Sequence, residues 1–441
     1  MPVDRYTSNS TNYEHPQESN LLNVHKAMEY NALGEPILRT TLGITATDAF
    51  GRFRSSQPFT LFDYFHRYTN NSKFNQYTTG TNSTSTFEAH SGALLLSVGT
   101  GTNAAVYRES TKVFAYQPGK SLLVLQTFVM DEPKTGKRTR VGYFDSNNGL
   151  FLERTGTDIY FVRRSTSQTG TVQETRISQE NWNLNKLDGT DSNRVYLDLS
   201  VAQIMFTQIE WLGVGSVIQG FVIDGQFMPC HRWDWANHTG STTTYMLTAC
   251  LPIRYELENI ASTTSTSILR EICCTVISEG GYELLGKPRS VGHTVSSPYS
   301  LASKDTVYPV FSMRLKVNRL GAIVLPTNFT LGIDKAANYR YFILVGGVTS
   351  GGTWVDADAI ESSVEYKLNA TTISGGNAVQ MSYINASNQA SISPTLAEFP
   401  FIYQLERNTF LNTGTEFTVC IETDASTGPK AWCTINWQEL T

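Results

Sequence analysis

The sequence predicts an all-β protein, with an extended N-terminal arm followed by two antiparallel β-sandwiches. Three observations lead there. Apolar residues come in short runs bounded by Gly, Asn, Asp and Ser clusters, the pattern of strands and turns. The 441 residues include 53 Thr, 39 Ser and 28 Asn. Thr suits strands, while Asn and Ser suit the turns between them. Only 17% of residues are charged, against about 25% in an average soluble domain. With 11% aromatic residues and a net charge of -5, disorder by charge is excluded.

The first strand signals are at 37–44 and at FTLFDYF, residues 59–65. Further runs follow at 85–88, 93–98 and 113–116. The run SLLVLQTFVM at 121–130 is apolar almost throughout and reads as a strand buried on both faces. Segments 138–144, 150–154 and 159–163 follow after short connections, and DSNNG at 145–149 is a strong turn signal. These four strands read as one antiparallel meander. Beyond a polar stretch, 206–214, 216–223 and 226–231 are strands, and the Asp224–Gly225 dipeptide marks a type I′ hairpin. Segments 249–259 and 268–278 complete this body.

A Gly-, Pro- and Ser-rich stretch then reads as a linker. Eight further strand signals lie between 308 and 437. The expected organisation is an arm over 1–68, a sandwich over 69–287, a linker over 288–305 and a second sandwich over 306–441. Within the arm, Pro16 opens a helical pattern through QESNLLNVHKAMEY, with Leu21, Leu22 and Met28 as its apolar stripe.

Composition restricts the function classes. An acidic pI near 5.9 gives no overall basic field, which argues against a general nucleic-acid binder. No run of 18 apolar residues suggests a membrane span. The N-terminus lacks the basic and apolar regions of a secretory signal, so synthesis in a cytoplasm is expected. Seven Asn-x-Ser/Thr triplets occur, close to the roughly six that such a composition gives by chance. The cysteines Cys230, Cys250, Cys273, Cys274, Cys420 and Cys433 read as buried free thiols.

Candidate sites are few. CHRWDWANH, residues 230–238, gathers Cys230, His231, Asp234 and His238, but a second ligand cluster for zinc is missing. Trp233 and Trp235 share a face of an extended chain and are the candidate surface-recognition aromatics. Asp356, Asp358 and Glu361 lack the remainder of a calcium loop. No GxSxG, HExxH or phosphate-loop motif occurs. Paired acids for glycoside hydrolysis depend on spatial separation, which spacing along the chain does not report. The expectation is a non-enzyme with no catalytic residues, no metal and no cofactor. Residues 47–68 interleave arginines with aromatics. That chemistry suits single-stranded nucleic acid or a protein interface, and the absence of net positive charge favours the interface. Phe50, Arg52, Phe53, Arg54, Phe59, Phe62 and Tyr64 are its candidate assembly residues.

The blocks DAFGRFRSSQPFTLFDYFHRY, YRESTKVFAYQPGKSLLVLQTFVM, RVGYFDSNNGLFLER and IEWLGVGSVIQGFVIDGQF resemble structural proteins of tailed bacteriophages, especially those of marine cyanobacterial phages. Phe53 stands where Leu is commoner, and Ser55–Ser56 where Val–Ser is commoner. The body also resembles concanavalin-like jelly rolls, which implies a jelly-roll-like first sandwich. The resemblance implies a virion structural protein of the tail, baseplate or fibre region, assembling through its arm with other virion proteins and contacting the host surface. A homo-oligomer, by analogy a trimer, is expected, with a host-surface glycan as a further partner and neither nucleic acid nor membrane insertion. The alternatives are a capsid-surface decoration protein and a carbohydrate-binding adhesin or depolymerase.

Overall fold

Alternation along the strands decides which side chains go inside. In FTLFDYF, Phe62 and Tyr64 are buried while Thr60, Asp63 and Phe65 are exposed, the period-two pattern of a sheet with one covered face. A computed structural model describes residues 26–30 and 36–40 and most of 56–440, leaving out 71, 192–193, 239, 387–389 and 393–402. The chain divides into two units, Met1–Gln57 and Pro58–Thr441.

The first unit contains β1 (Lys26–Tyr30) and β2 (Pro36–Thr40), an antiparallel pair with Met28 opposite Leu38. The helix expected from Pro16 therefore does not extend through Lys26–Tyr30. Those residues pair with Pro36–Thr40 instead, and residues 16–25 lie outside the described ones.

Fifteen strands build the first sandwich of the second unit. They are β3 (Phe59–Phe65), β4 (Phe74–Thr79), β5 (Thr84–Glu88), β6 (Ala93–Val98), β7 (Ala105–Ser110), β8 (Leu122–Met130), β9 (Lys137–Phe144), β10 (Gly149–Thr155), β11 (Asp158–Ser165), β12 (Gln173–Ser178), β13 (Gln203–Ile209), β14 (Val217–Ile223), β15 (Gln226–Trp233), β16 (Ile253–Asn259) and β17 (Ser267–Ser278). One sheet has seven strands in the order β12-β11-β10-β9-β16-β7-β4. The other has eight, in the order β15-β14-β13-β8-β17-β6-β5 with β3 also on β17. The fold is all-β, as the sequence predicts.

Several local expectations are corrected. The meander consists of β9 to β12, and β8 belongs to the opposite sheet. Residues 113–116 are not a strand but a buried connection whose Phe114 amide donates to Leu251 O at 3.1 Å. The arm does not reach residue 68, because β3 pairs with β17 inside the sandwich. The hairpin at Asp224–Gly225 is as expected, with positive φ at both residues (52° and 77°), the requirement of a type I′ turn.

The second sandwich packs a five-stranded sheet on a six-stranded one around Phe311, Tyr339, Val419, Ile435 and Trp437. The expected linker 288–305 contributes to it: Lys287–Gly292 and Tyr299–Ser300 both pair with Lys430–Leu440. Val113 and Ala115 meet Ile323 and Leu325 in a small apolar cluster between the two sandwiches. Gln404 Nε2 donates to Val113 O at 2.9 Å there.

All six cysteines are free. Burial pushes the Cys230, Cys250, Cys274, Cys420 and Cys433 thiols up, Cys420 to about 12. Among the described residues no helix is long and apolar enough to cross a membrane.

The interior of the first sandwich holds a buried ion pair that joins its two sheets. Arg108 on β7 reaches across to Glu271 on β17, with Nε 2.8 Å from Oε2, and both side chains are 1% exposed or less. Arg108 also donates to the Tyr64 hydroxyl at 3.0 Å, and His66 Nε2 lies 3.7 Å from the other Glu271 oxygen. Removing one partner of a buried pair leaves an uncompensated charge. Glu271→Leu is therefore expected to lose about 3–5 kcal/mol in urea unfolding, and the Arg108→Met/Glu271→Leu double variant to be less destabilised than Glu271→Leu alone.

Candidate functional site

On the outward side of the seven-stranded sheet, strand register places acids and bases in rows. One row runs Glu153, Arg140, Glu256, Tyr107, Tyr77 across β10, β9, β16, β7 and β4. The next runs Phe151, Gly142, Arg254, Glu109, Asn75. Glutamates and arginines thus face each other on neighbouring strands, where opposite charges attract.

The contacts form one continuous lattice. Arg140 lies 2.7 Å from Glu153 and 3.2 Å from Glu256, and Arg254 lies 2.7 Å from Glu256 and 2.5 Å from Glu109. Glu109 also takes Arg407 of the second sandwich at 2.9 Å. At the other side Arg176 pairs with Glu153 at 2.9 Å, while Glu174 takes Arg164 at 2.7 Å and Arg176. Arg138 pairs with Glu258, which accepts from the Tyr107 hydroxyl at 2.6 Å.

Beneath the lattice is an aromatic floor of Phe144 and Phe151, ring centroids 4.4 Å apart. The guanidinium of Arg140 sits 5.3 Å over Phe151, that of Arg164 5.0 Å over it, and that of Arg254 5.8 Å over Phe144, within the reach of cation–π attraction. Gly142 makes room for this layer: a Cβ there would stand 2.4 Å from Leu150 O and 2.5 Å from Phe151 Cα.

The centre of the lattice is buried, and its margin is open. Arg140, Glu153, Arg254 and Glu256 are buried, whereas Tyr77 is exposed and Arg138, Tyr160 and Arg176 are partly so. All three glutamates at 153, 174 and 256 are desolvated, which raises a carboxyl pKa, but their arginines more than offset it and hold them below the ordinary range. Glu406 behaves oppositely. Burial pushes its carboxyl up despite Lys112 at 3.8 Å.

The residues singled out from sequence fall elsewhere. Phe50, Arg52, Phe53 and Arg54 lie outside the described residues. Phe62 and Tyr64 are buried in their own sandwich, and Phe59 stacks on Tyr282 at 5.8 Å. As an assembly surface these three are corrected, because intrachain packing uses them. Trp233 and Trp235 are half-buried. Trp233 Nε1 donates to Gln219 at 2.9 Å, Trp235 Nε1 donates to Thr243 O at 2.6 Å, and Arg163 lies 4.3 Å over Trp235. They anchor the segment after β15 and do not join the lattice.

Around them Asp234 pairs with Arg232, and burial lowers His231 to about 4. At the acidic triplet, Lys287 and Arg289 pair with Glu361, and Lys316 with Asp356. Among the described residues no group of three or more His, Cys, Asp or Glu could hold a metal.

Fold and lattice together define a class: a two-sandwich all-β protein whose first sandwich carries a charged, aromatic-floored sheet face. No family model matches the chain, and no curated protein matches it. Solved structures do. An endo-β-1,4-glucuronan lyase from the fungus Trichoderma reesei is 10% identical over 49% of this chain and 95% of its own, with a TM-score of 0.33. The carbohydrate recognition domain of Emp47p is 9% identical over 53% and 99%, TM-score 0.31. A carbohydrate esterase from a Shiga toxin-encoding bacteriophage is 9% identical over 50% and 99%, TM-score 0.30. The structures matched thus include a lyase and an esterase. The expectation of a non-enzyme is corrected: it rested on missing sequence motifs, and these are no ground for excluding catalysis.

The lattice makes stability depend on acid. Carboxyls held below their ordinary value of 4.5 contribute stability above that pH and lose it as pH falls through the lowered values. The urea midpoint is expected to fall gradually below about pH 6.5, where the unfolded chain protonates His231 and the folded chain does not, and more steeply below about pH 4.5, with the steep part shallower in Glu256→Gln.

Proposed function

We propose that the chain is a glycan-binding component of a tailed-bacteriophage particle, placed in the tail, baseplate or fibre region, and that it meets the sugar at the outward face of the seven-stranded sheet. The observation that carries this reading is the lattice. Its guanidinium forks and ionised carboxylates are fixed donors and acceptors, and tyrosines with an apolar face and a polar tip stand at its open margin. That arrangement suits a ligand made of hydroxyls on an apolar ring. The particle assignment is supported by the sequence blocks that resemble tailed-phage structural proteins.

The full chain is expected to bind host envelope polysaccharide in calorimetry. Arg176→Ala, Tyr160→Ala or Tyr77→Ala should each weaken binding about tenfold, equivalent to about 1.4 kcal/mol. Margin variants that bind as the unmodified chain does, or no binding to any envelope glycan, would sink the proposal. Mass spectrometry of purified particles checks the particle assignment.

A second reading, cleavage of the bound polysaccharide, is favoured by Glu406. Burial raises this carboxyl against the opposing pull of Lys112 and Thr111, the direction a general acid needs. Glu406 adjoins Arg407, which enters the lattice through Glu109. Reducing-end release from envelope polysaccharide should then appear with the unmodified chain and vanish in Glu406→Gln while binding persists.

A further inference from the structure

The second sandwich reaches into the lattice with one hairpin. Arg407–Asn408 pairs with Thr413–Gly414, and residues 409–412 turn between them. Asn408 Oδ1 accepts from the amides of Phe410 and Leu411 at 3.1 Å, which fixes the turn. The base of the hairpin is tied to the first sandwich. The Arg407 amide donates to Thr111 O at 2.9 Å, and Asn75 Nδ2 donates to Arg407 O at 2.6 Å. The Thr409 hydroxyl donates at 2.7 Å to the same Glu109 oxygen that Arg407 holds. The turn then lays half-buried Phe410 beside Tyr77, ring centroids 5.9 Å apart, and Tyr77 stacks on Tyr107 at 5.7 Å. The Arg254 guanidinium lies 5.2 Å over Phe410 and 5.6 Å over Tyr107. Three rings from two sandwiches thus form one strip, with Tyr77 exposed at its middle and Leu411 exposed at its tip. The strip ends an outward row. Register places Tyr160 of β11 opposite Glu153, so the row runs Tyr160, Glu153, Arg140, Glu256, Tyr107, Tyr77.

We propose that the sugar site continues over this hairpin, so that its ligand is an extended polysaccharide lying across the strands and touching both sandwiches, with Phe410 as a specificity-determining contact. The proposal rests on the glycan reading of this face. Two observations select a polymer held along its length over a single terminal sugar. Tyr160 and Tyr77 stand at opposite ends of the row, separated by five strand spacings, about 24 Å. That is several times the width of one sugar ring. The row is also aromatic at its ends and charged between them. Rings offer an apolar surface to the C–H face of a sugar, while the guanidinium and carboxylate groups between them are fixed donors and acceptors for hydroxyls. A chain stacked at both ends and hydrogen-bonded in the middle satisfies the whole row, and one sugar satisfies a small part of it.

Calorimetry of the full chain with size-graded fragments of host envelope polysaccharide tests it. Fragments of about six rings, one for each strand crossed, are expected to bind about tenfold tighter than fragments of about two. Equal affinities overturn the proposal. Phe410→Leu keeps an apolar side chain against Tyr77 and removes the ring. It should weaken binding of the long fragments about tenfold with an unchanged thermal midpoint, and Phe410→Tyr should bind as the unmodified chain does. Long-fragment binding by Phe410→Leu that matches the unmodified chain overturns the proposal. If Tyr160→Ala still weakens binding in that case, the sugar is confined to the first sandwich and the glycan reading stands. Absence of binding to every fragment overturns both. Should Phe410→Leu lower the midpoint or fail to fold, the length series of the unmodified chain decides.

Discussion

Among the described residues, Arg108 and Glu271 form the buried ion pair that joins the two sheets of the first sandwich. Leucines and phenylalanines could fill that gap in many arrangements, because apolar contact has little directional demand. A guanidinium that must find one carboxylate, and the Tyr64 hydroxyl beside it, is satisfied in few. β3, β7 and β17 therefore lock into one relative placement. Both sheet faces follow from it, since fixing the inward set of residues fixes the outward set as well.

Charge is distributed unequally between those outward faces. On the seven-stranded sheet, Arg140, Arg164, Arg176 and Arg254 each touch two or more acids or rings, so these side chains brace each other. On the eight-stranded sheet, apolar Ile204 and Phe227 are exposed instead. The strand order keeps the two faces on opposite sides of a single layer pair.

Much of this was legible in the sequence. β3, β6 and the Asp224–Gly225 hairpin stand where alternation and turn chemistry put them, and the all-β class follows from composition. The misses have physical causes. β4 and β12 read FNQYTT and QETRIS, polar strands with no apolar stripe to announce them. Lys287–Gly292 contains Pro and Gly yet pairs as the terminal strand of its sheet, where a missing amide is tolerated. The lattice was hidden by a rule about neighbours. In sequence, Glu109 stands beside Arg108 and Glu271 beside Arg270. Adjacent strand residues point to opposite faces, so Arg108 takes Glu271, Glu109 takes Arg254 and Arg407, and Arg270 takes Glu88. Only knowledge of strand order converts those letters into pairs.

The cysteines carry a separate consequence. Five of the six thiols are pushed above their ordinary range by burial, and the thiolate is the form that attacks oxidants and disulfides. At neutral pH those five are almost wholly protonated and slow to react. The chain holds its shape through packing and ion pairs and without cross-links from sulfur. A change between reducing and oxidising surroundings therefore leaves those five positions as they are.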